Sequence, residues 1–413
     1  MPFTPPQTPV IEKGAVTGQR VDEDTGSSLF DDSAGNSTTL DEDAFTGGKN
    51  ANRYWLPITP IEQKENIFRS YNDESGLLPP NATLLEKVSP NSDNSQKYER
   101  YELKSERLRK YVLSPQIFSL KLTERLGVGA NSYVYEGILS SRGGKQLNAA
   151  VKIPASRNRV KAIENEAEFM ILLQKFRTES GESPDSFPFV DSYGLYYLTR
   201  DDFAMIRKKD EIPCLVMRKM DCTLTKYIKE CSKKTEGDQI VIGVDCWWKL
   251  CGTLLHALQI LRELRSVHCD LKTDNIMVTD ASFPRFRVSD FSSSSRIEDL
   301  TGPPETTLQF SPPEFFNIKD GANPSTQTDL FSTGLILLNA ATGKAPYEAF
   351  SFDQFYLVTL IKENKVLEVL ERETINILRS NKSIAQLIRM LVYDRCSLDS
   401  AVIYYNRNCR LHL

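Results

Sequence analysis

A lysine placed inside an apolar run constrains this chain more than any other feature. Ala149-Ala150-Val151-Lys152-Ile153 has the composition of a buried strand. An ammonium group in that setting is tolerated only beside a carboxylate. The fold must therefore bring an acid onto the strand from elsewhere in the chain. The helical stretch 160–176 follows and offers Glu164, Glu166 and Glu168. Glu166 fits best, because Phe169, Met170, Leu173 and Phe176 follow it at core spacing. Any one of these glutamates taken alone reads as a solvated helix face.

Just upstream, residues 118–126 alternate like a strand and run into Gly127-Val128-Gly129-Ala130-Asn131-Ser132-Tyr133-Val134. Two glycines let a backbone fold closely over phosphates, and Val134 would cover a base. The same residues also suit a tight hairpin turn. Downstream, residues 187–197 and 214–217 read as apolar strands, and residues 223–231 and 244–264 as helices. The second helix carries Trp247, Trp248, Leu254, Leu255, Leu258 and Leu261 as core.

The next stretch, Val267-His268-Cys269-Asp270-Leu271-Lys272-Thr273-Asp274-Asn275-Ile276-Met277, collects an acid, a cation and a metal-capable amide. Phosphoryl transfer needs those three together. The acid orients the attacking hydroxyl, the cation offsets charge on the moving group, and the amide oxygen helps hold Mg²⁺. A strand over 286–289 then ends at Asp290-Phe291-Ser292, and an acid there can complete a Mg²⁺ site. Residues 307–314, 329–334 and 342–347 carry further motifs, and 361–405 is mainly helical by periodicity.

Composition places these motifs in the second part of the chain. From 1 to 45 there are nine acidic residues against Lys13 and Arg20, with few apolar side chains. Such a segment cannot bury enough apolar surface to offset its ordering entropy, so 1–95 is expected to be a disordered acidic regulatory tail. Residues 96–116 are expected to be a charged, helical lead-in. The tail contains Thr4-Pro5-Pro6-Gln7-Thr8-Pro9, two Thr-Pro sites four residues apart, and a weaker Thr59-Pro60. Phosphates at Thr4, Thr8 and Thr59 would offer strong acceptors to an Arg-lined pocket. The Thr4 and Thr8 pair resembles the doubly phosphorylated degrons read by WD40-type F-box ubiquitin-ligase receptors. A proline-directed kinase acting on the tail is implied. The net charge of −4 predicts neither nucleic-acid binding nor attachment to a membrane surface. No apolar run is long enough to span a bilayer, and residues 1–10 lack the pattern of a signal peptide. The eight cysteines form no C-x-x-C pair and there are three histidines, so structural zinc is not expected. The expected setting is reducing: cytoplasmic, nuclear or both.

Taken in order, these motifs resemble the eukaryotic protein kinase family over residues 117–405. The resemblance implies an α+β, two-lobed fold with ATP in the cleft. The β-rich small lobe would span 117–217 and the α-rich large lobe 218–406. It assigns Leu126, Gly127, Val128, Gly129 and Val134 to the nucleotide loop, Met217 and Met220 to the adenine slot, and Lys152 with Glu166 to the phosphates. It makes Asp270 the catalytic acid/base and places Lys272 on the γ-phosphate. Asn275 and Asp290 would hold Mg²⁺, Glu314 would pair with Arg395, and Asp329 would hold the catalytic-loop backbone. The Asp270-Leu271-Lys272 run and Thr307 resemble serine/threonine kinases, so protein substrates and a monomer are implied. The Thr-Pro-Pro start, Trp247-Trp248 and a catalytic loop without its arginine are similar to the fungal kinase group named for inhibition of staurosporine resistance.

Three residues depart from the family pattern. Cys269 stands where an arginine normally docks an activation-segment phosphate. Ser292 to Ser295, Thr301 and Thr306 therefore lack that receptor, and control by abundance or tail modification is expected instead. Ser132 replaces the third glycine of the nucleotide loop, a tolerable change. Ser292 replaces the glycine after Asp290-Phe291, where a Cβ is expected to restrict the backbone. The alternative function is a pseudokinase scaffold. Such proteins lose the lysine, the acid or a metal ligand, whereas Lys152, Asp270, Asn275 and Asp290 are all present.

Overall fold

The computed structural model describes residues 117–129, 132–141, 144–199, 212–279, 282–300, 306–316 and 323–409. The tail 1–95, the lead-in 96–116, their Thr4, Thr8 and Thr59, and Thr301 lie outside the described residues.

The alternating run forms β1 (Ile117–Val128), and β2 (Ser132–Ser141) returns antiparallel to it. Then β3 (Gln146–Pro154) runs back along β2. The following helix is α1 (Val160–Ser180), a turn longer than the expected 160–176 because Gly181 ends it in the left-handed conformation, φ 70°. Finally β4 (Ser192–Leu198) and β5 (Ile212–Arg218) complete an antiparallel sheet of order β1-β2-β3-β5-β4. Side chains of a strand alternate between faces. Leu195 and Tyr197 therefore join α1 in the large core, while Tyr196 and Leu198 join a smaller cluster with Leu120, Val151 and Val216.

The strand expected over 187–197 begins only at Ser192. Pro188 has no N–H to give to a ladder. The carbonyls of Phe187 and Phe189 instead accept from Arg287, each at 3.0 Å. Val190 N donates to Val288 O, and Val288 N to Pro188 O. This segment thus ties the sheet to the strand that leads into Asp290.

Beyond β5 the architecture is built mainly on helices. Short β6 (Cys222–Thr223) leads to α2 (Leu224–Ser232) and α3 (Val244–Glu263). Then come β7 (Ser266–Val267), β8 (Ile276–Thr279), β9 (Arg285–Val288) and β10 (Ser295–Arg296). The chain ends in α4 (Thr326–Thr342), α5 (Gln354–Lys362), α6 (Arg372–Ser380), α7 (Lys382–Val392) and α8 (Leu398–Cys409). Strands β6, β8 and β9 form one small sheet, and β7 pairs with β10. Trp247 and Trp248 are fully buried on α3, and Trp247 Nε1 donates to Leu337 O of α4 at 2.9 Å. Helix α4 is buried almost throughout and starts with a capping box between Ser325 and Thr328. That cap matters for the site, because it fixes the first turn, which carries Asp329. No helix among the described residues is long and apolar enough to cross a membrane.

Candidate active site

The site is assembled from the sheet, α1 and the loops that flank β7, β8 and β9. Lys152 lies on β3 opposite Val134 of β2 and Leu215 of β5. Its Nζ is 2.7 Å from Glu166 Oε2 and 2.7 Å from Asp290 Oδ1. Burial by itself would favour a neutral lysine. The two carboxylates outweigh it, so the ammonium is held above its ordinary pKa. Glu166 comes from the buried face of α1, together with Ile163, Ala167 and Met170.

Above Lys152, the β1–β2 turn is closed by Gly129 N donating to Ser132 O at 2.8 Å. Gly127 pairs with Val134, which places Gly127, Val128 and Gly129 at the turn over the lysine. Leu126 and Val128 are exposed apolar side chains beside it. On the other wall, Met217 pairs with Ala150 near the end of β5, and Met220 is buried just beyond it. Lys219 reaches Glu136 of β2 at 2.5 Å, joining this wall to the roof.

The loop after β7 holds the acid, cation and amide. His268 N and Cys269 N donate to the two carboxylate oxygens of Asp329, at 2.7 and 3.0 Å. These bonds hold Cys269 in a left-handed conformation, φ 69°. Asp270 Oδ2 accepts from Lys272 Nζ at 2.7 Å and from Asn275 Nδ2 at 3.3 Å. Its Oδ1 accepts from Thr307 N at 3.1 Å and Thr307 Oγ1 at 3.0 Å. Lys272 Nζ also donates to Thr307 Oγ1 at 2.8 Å. The Asn275 amide nitrogen donates to Asp270 O at 2.8 Å, leaving its Oδ1 as the atom suited to a cation.

Asp290 stands at φ 60° beyond β9. Ser289 N and Ser289 Oγ both donate to Asn275 O, at 2.8 and 3.0 Å, which brings Asp290 alongside Asn275. Burial would raise the Asp290 carboxyl. The Lys152 ammonium and the bonds from Lys152 and Ser292 overcome this and hold it well below the usual carboxylate range. An ionised carboxylate and an amide oxygen in this arrangement are hard oxygen donors of the kind Mg²⁺ takes, so the residues fit that ion.

Phe291 locks the parts together. Its N donates to Glu166 Oε1 at 3.3 Å. Its ring stacks on Phe169 at 5.3 Å, meets Phe189 edge-on at 5.7 Å and lies 5.4 Å from His268. Further out, Glu314 and Arg395 form an ion pair, and the Arg395 guanidinium lies 4.7 Å over the Phe331 ring.

One feature bears on an expectation, and another escaped it. Ser292 is not in the left-handed region, so its Cβ imposes no backbone strain; Asp290 carries that conformation instead. A hub behind α1 was not foreseen either. Asp191 takes Arg177 at 2.7 Å, Arg218 at 3.4 Å and the buried Arg287 at 3.8 Å. Arg287 also donates to Pro184 O at 2.7 Å. No spacing in the sequence links these four residues. Arg287, set between Phe286 and Val288 in β9, is the one signal that could have raised the question.

The family described as protein kinase domain matches residues 198–402. These residues match the protein kinase family, and the chain is related to serine/threonine-protein kinases. Its relatives include the serine/threonine-protein kinase ISR1 of Saccharomyces cerevisiae, 25% identical over 328 residues, covering 72% of this chain and 71% of that protein. ISR1 of Eremothecium gossypii is 28% identical over 233 residues, covering 56% of this chain and 60% of that protein. The serine/threonine-protein kinase RUNKEL of Arabidopsis thaliana is 31% identical over 105 residues, 24% of this chain and 7% of that protein.

Proposed function

We propose that this chain transfers the γ-phosphoryl group of ATP to serine or threonine hydroxyls of protein substrates. The observation that carries this reading is the double ion pair of Lys152 with Glu166 and Asp290, next to a hydrogen-bonded cluster of Asp270, Lys272 and Asn275. In this reading Asp270 accepts the hydrogen bond of the attacking hydroxyl and takes its proton as the oxygen–phosphorus bond forms and the bond from the γ-phosphorus to the bridging oxygen breaks, releasing ADP. Lys272, already 2.7 Å from Asp270, offsets charge on the moving phosphoryl group. Lys152 holds the other phosphates, and Glu166 keeps it in place. Asn275 Oδ1 and Asp290 are the residues that would hold Mg²⁺. When bound, that ion supplies charge neutralisation on the phosphate oxygens. The test is transfer of label from γ-labelled ATP to protein in the presence of Mg²⁺. Label on serine or threonine is the expected result; label on tyrosine alone overturns the assignment.

We further propose that the activation segment acts without a phosphate. Cys269 is buried and offers no cation to a phosphate. Burial, with Asp329 and Asp270 nearby, pushes its thiol pKa up, so it stays uncharged. The segment is fastened by other means. Ser295 and Arg296 pair with Val267 and Ser266. Ser294 Oγ donates to His268 O at 3.3 Å. Phosphatase treatment is therefore expected to leave the transfer rate within about twofold, since Cys269 supplies no cation to hold a phosphate. A large loss traced to Thr301 or Thr306 contradicts this.

A further inference from the structure

We infer that Ser292 is a positioning residue for the Asp290 carboxylate and sets how tightly the site takes up Mg²⁺; this rests on the phosphotransfer reading above. Ser292 Oγ donates to Asp290 Oδ1 at 2.7 Å. Ser292 N adds a longer bond to the same oxygen at 3.4 Å. Lys152 Nζ is the third donor to Oδ1, at 2.7 Å. Among the described residues, the donors to this side chain all fall on Oδ1. They fix the carboxylate's rotation and leave Oδ2 as the oxygen for a cation.

Of the two bonds from residue 292, a glycine would keep only the long N–H one, alongside the bond from Lys152. The hydroxyl is thus an addition that this sequence makes to the metal side of the site. It is a short bond to an ionised acceptor in a half-buried position, and bonds of that kind are stronger than neutral ones. The backbone does not require it, because Ser292 has no left-handed strain to relieve. The chemistry of the contact therefore points at the carboxylate rather than at the turn.

A merely structural hydroxyl and a positioning one differ in what they move. Binding of a fluorescent ATP analogue is measured in EDTA and across a Mg²⁺ titration for the wild type, Ser292→Gly, Ser292→Ala, Ser292→Thr and Asp290→Asn. The glycine and alanine variants are expected to raise the Mg²⁺ concentration for half-maximal enhancement on the order of 10-fold, the effect of one hydrogen bond to a charged group. The threonine variant keeps the hydroxyl and is expected to restore the wild-type midpoint. Binding in EDTA is expected to be the same for the wild type and all three Ser292 variants, which also reports that they are folded. Wild-type midpoints in Ser292→Gly and Ser292→Ala, with enhancement lost in Asp290→Asn, overturn the inference and leave the site reading standing. An unchanged Asp290→Asn overturns both.

Discussion

Lys152→Met is expected to lower phosphotransfer by about 100- to 1000-fold, the scale seen when one preorganised electrostatic donor is removed. It is also expected to cost stability. Glu166 is 1% exposed and would lose its cation while remaining buried. Breaking a buried pair from one side costs about 3–5 kcal/mol. Part of that cost is escaped by protonating Glu166, which gives the prediction a pH dependence. In the variant, a buried carboxylate without its cation has a folded-state pKa above its unfolded value of about 4.3. The folded state then binds more protons than the unfolded one, so stability falls as pH rises above that value. Urea titrations near pH 5 and pH 8 are expected to show a smaller deficit at the lower pH. An equal deficit at both indicates that Glu166 finds another partner.

Arg287→Ala is the second large effect. Arg287 is buried and donates to the carbonyls of Pro184, Phe187 and Phe189 besides facing Asp191. Its removal leaves three carbonyls without their donor and is expected to destabilise the fold by about 3–5 kcal/mol. Arg177 and Arg218 remain on Asp191, so the loss falls mainly on the segment 184–189. Arg287→Lys is expected to recover little, because one ammonium cannot reproduce a planar fork that serves three acceptors. The readout is the urea midpoint of both variants. A midpoint for Arg287→Ala equal to wild type would mean that water replaces the guanidinium.

The two largest effects differ in how far the sequence announces them. Lys152 could be matched to Glu166 because the conflict is local and strong. A charge in an apolar strand demands a carboxylate, and helical spacing singles out one of three. The loop 268–275 was legible for a similar reason, since its functional groups lie within one short stretch. The Asp191 hub was not legible. Its members come from α1, the end of β5 and β9, and of the three arginines only Arg287, set between Phe286 and Val288, hints at burial. The strand expected from Phe187 failed because apolar composition does not reveal where carbonyls go. Arg287 claims those of Phe187 and Phe189. Backbone conformation was hidden too. A restricted backbone was expected at Ser292, but nothing in the sequence pointed to Cys269 and Asp290 as the residues that hold left-handed conformations. The hydrogen bonds of Cys269 N to Asp329 and of Ser292 to Asp290 accompany them and arise only from the assembled fold.

The central claim is that Asp270 works on a hydroxyl in an active enzyme and does not merely shape a scaffold. Asp270→Ala removes the carboxylate while leaving Lys152, Glu166 and Asp290 in place. The measurement is a comparison of wild type and this variant for label transfer from γ-labelled ATP to a peptide array, alongside binding of ATP with Mg²⁺. The variant is expected to bind nucleotide like the wild type and to transfer label about 100- to 10,000-fold more slowly. Wild-type protein that binds ATP but transfers no more label than Asp270→Ala would contradict it, and would favour a scaffold that binds nucleotide without turnover.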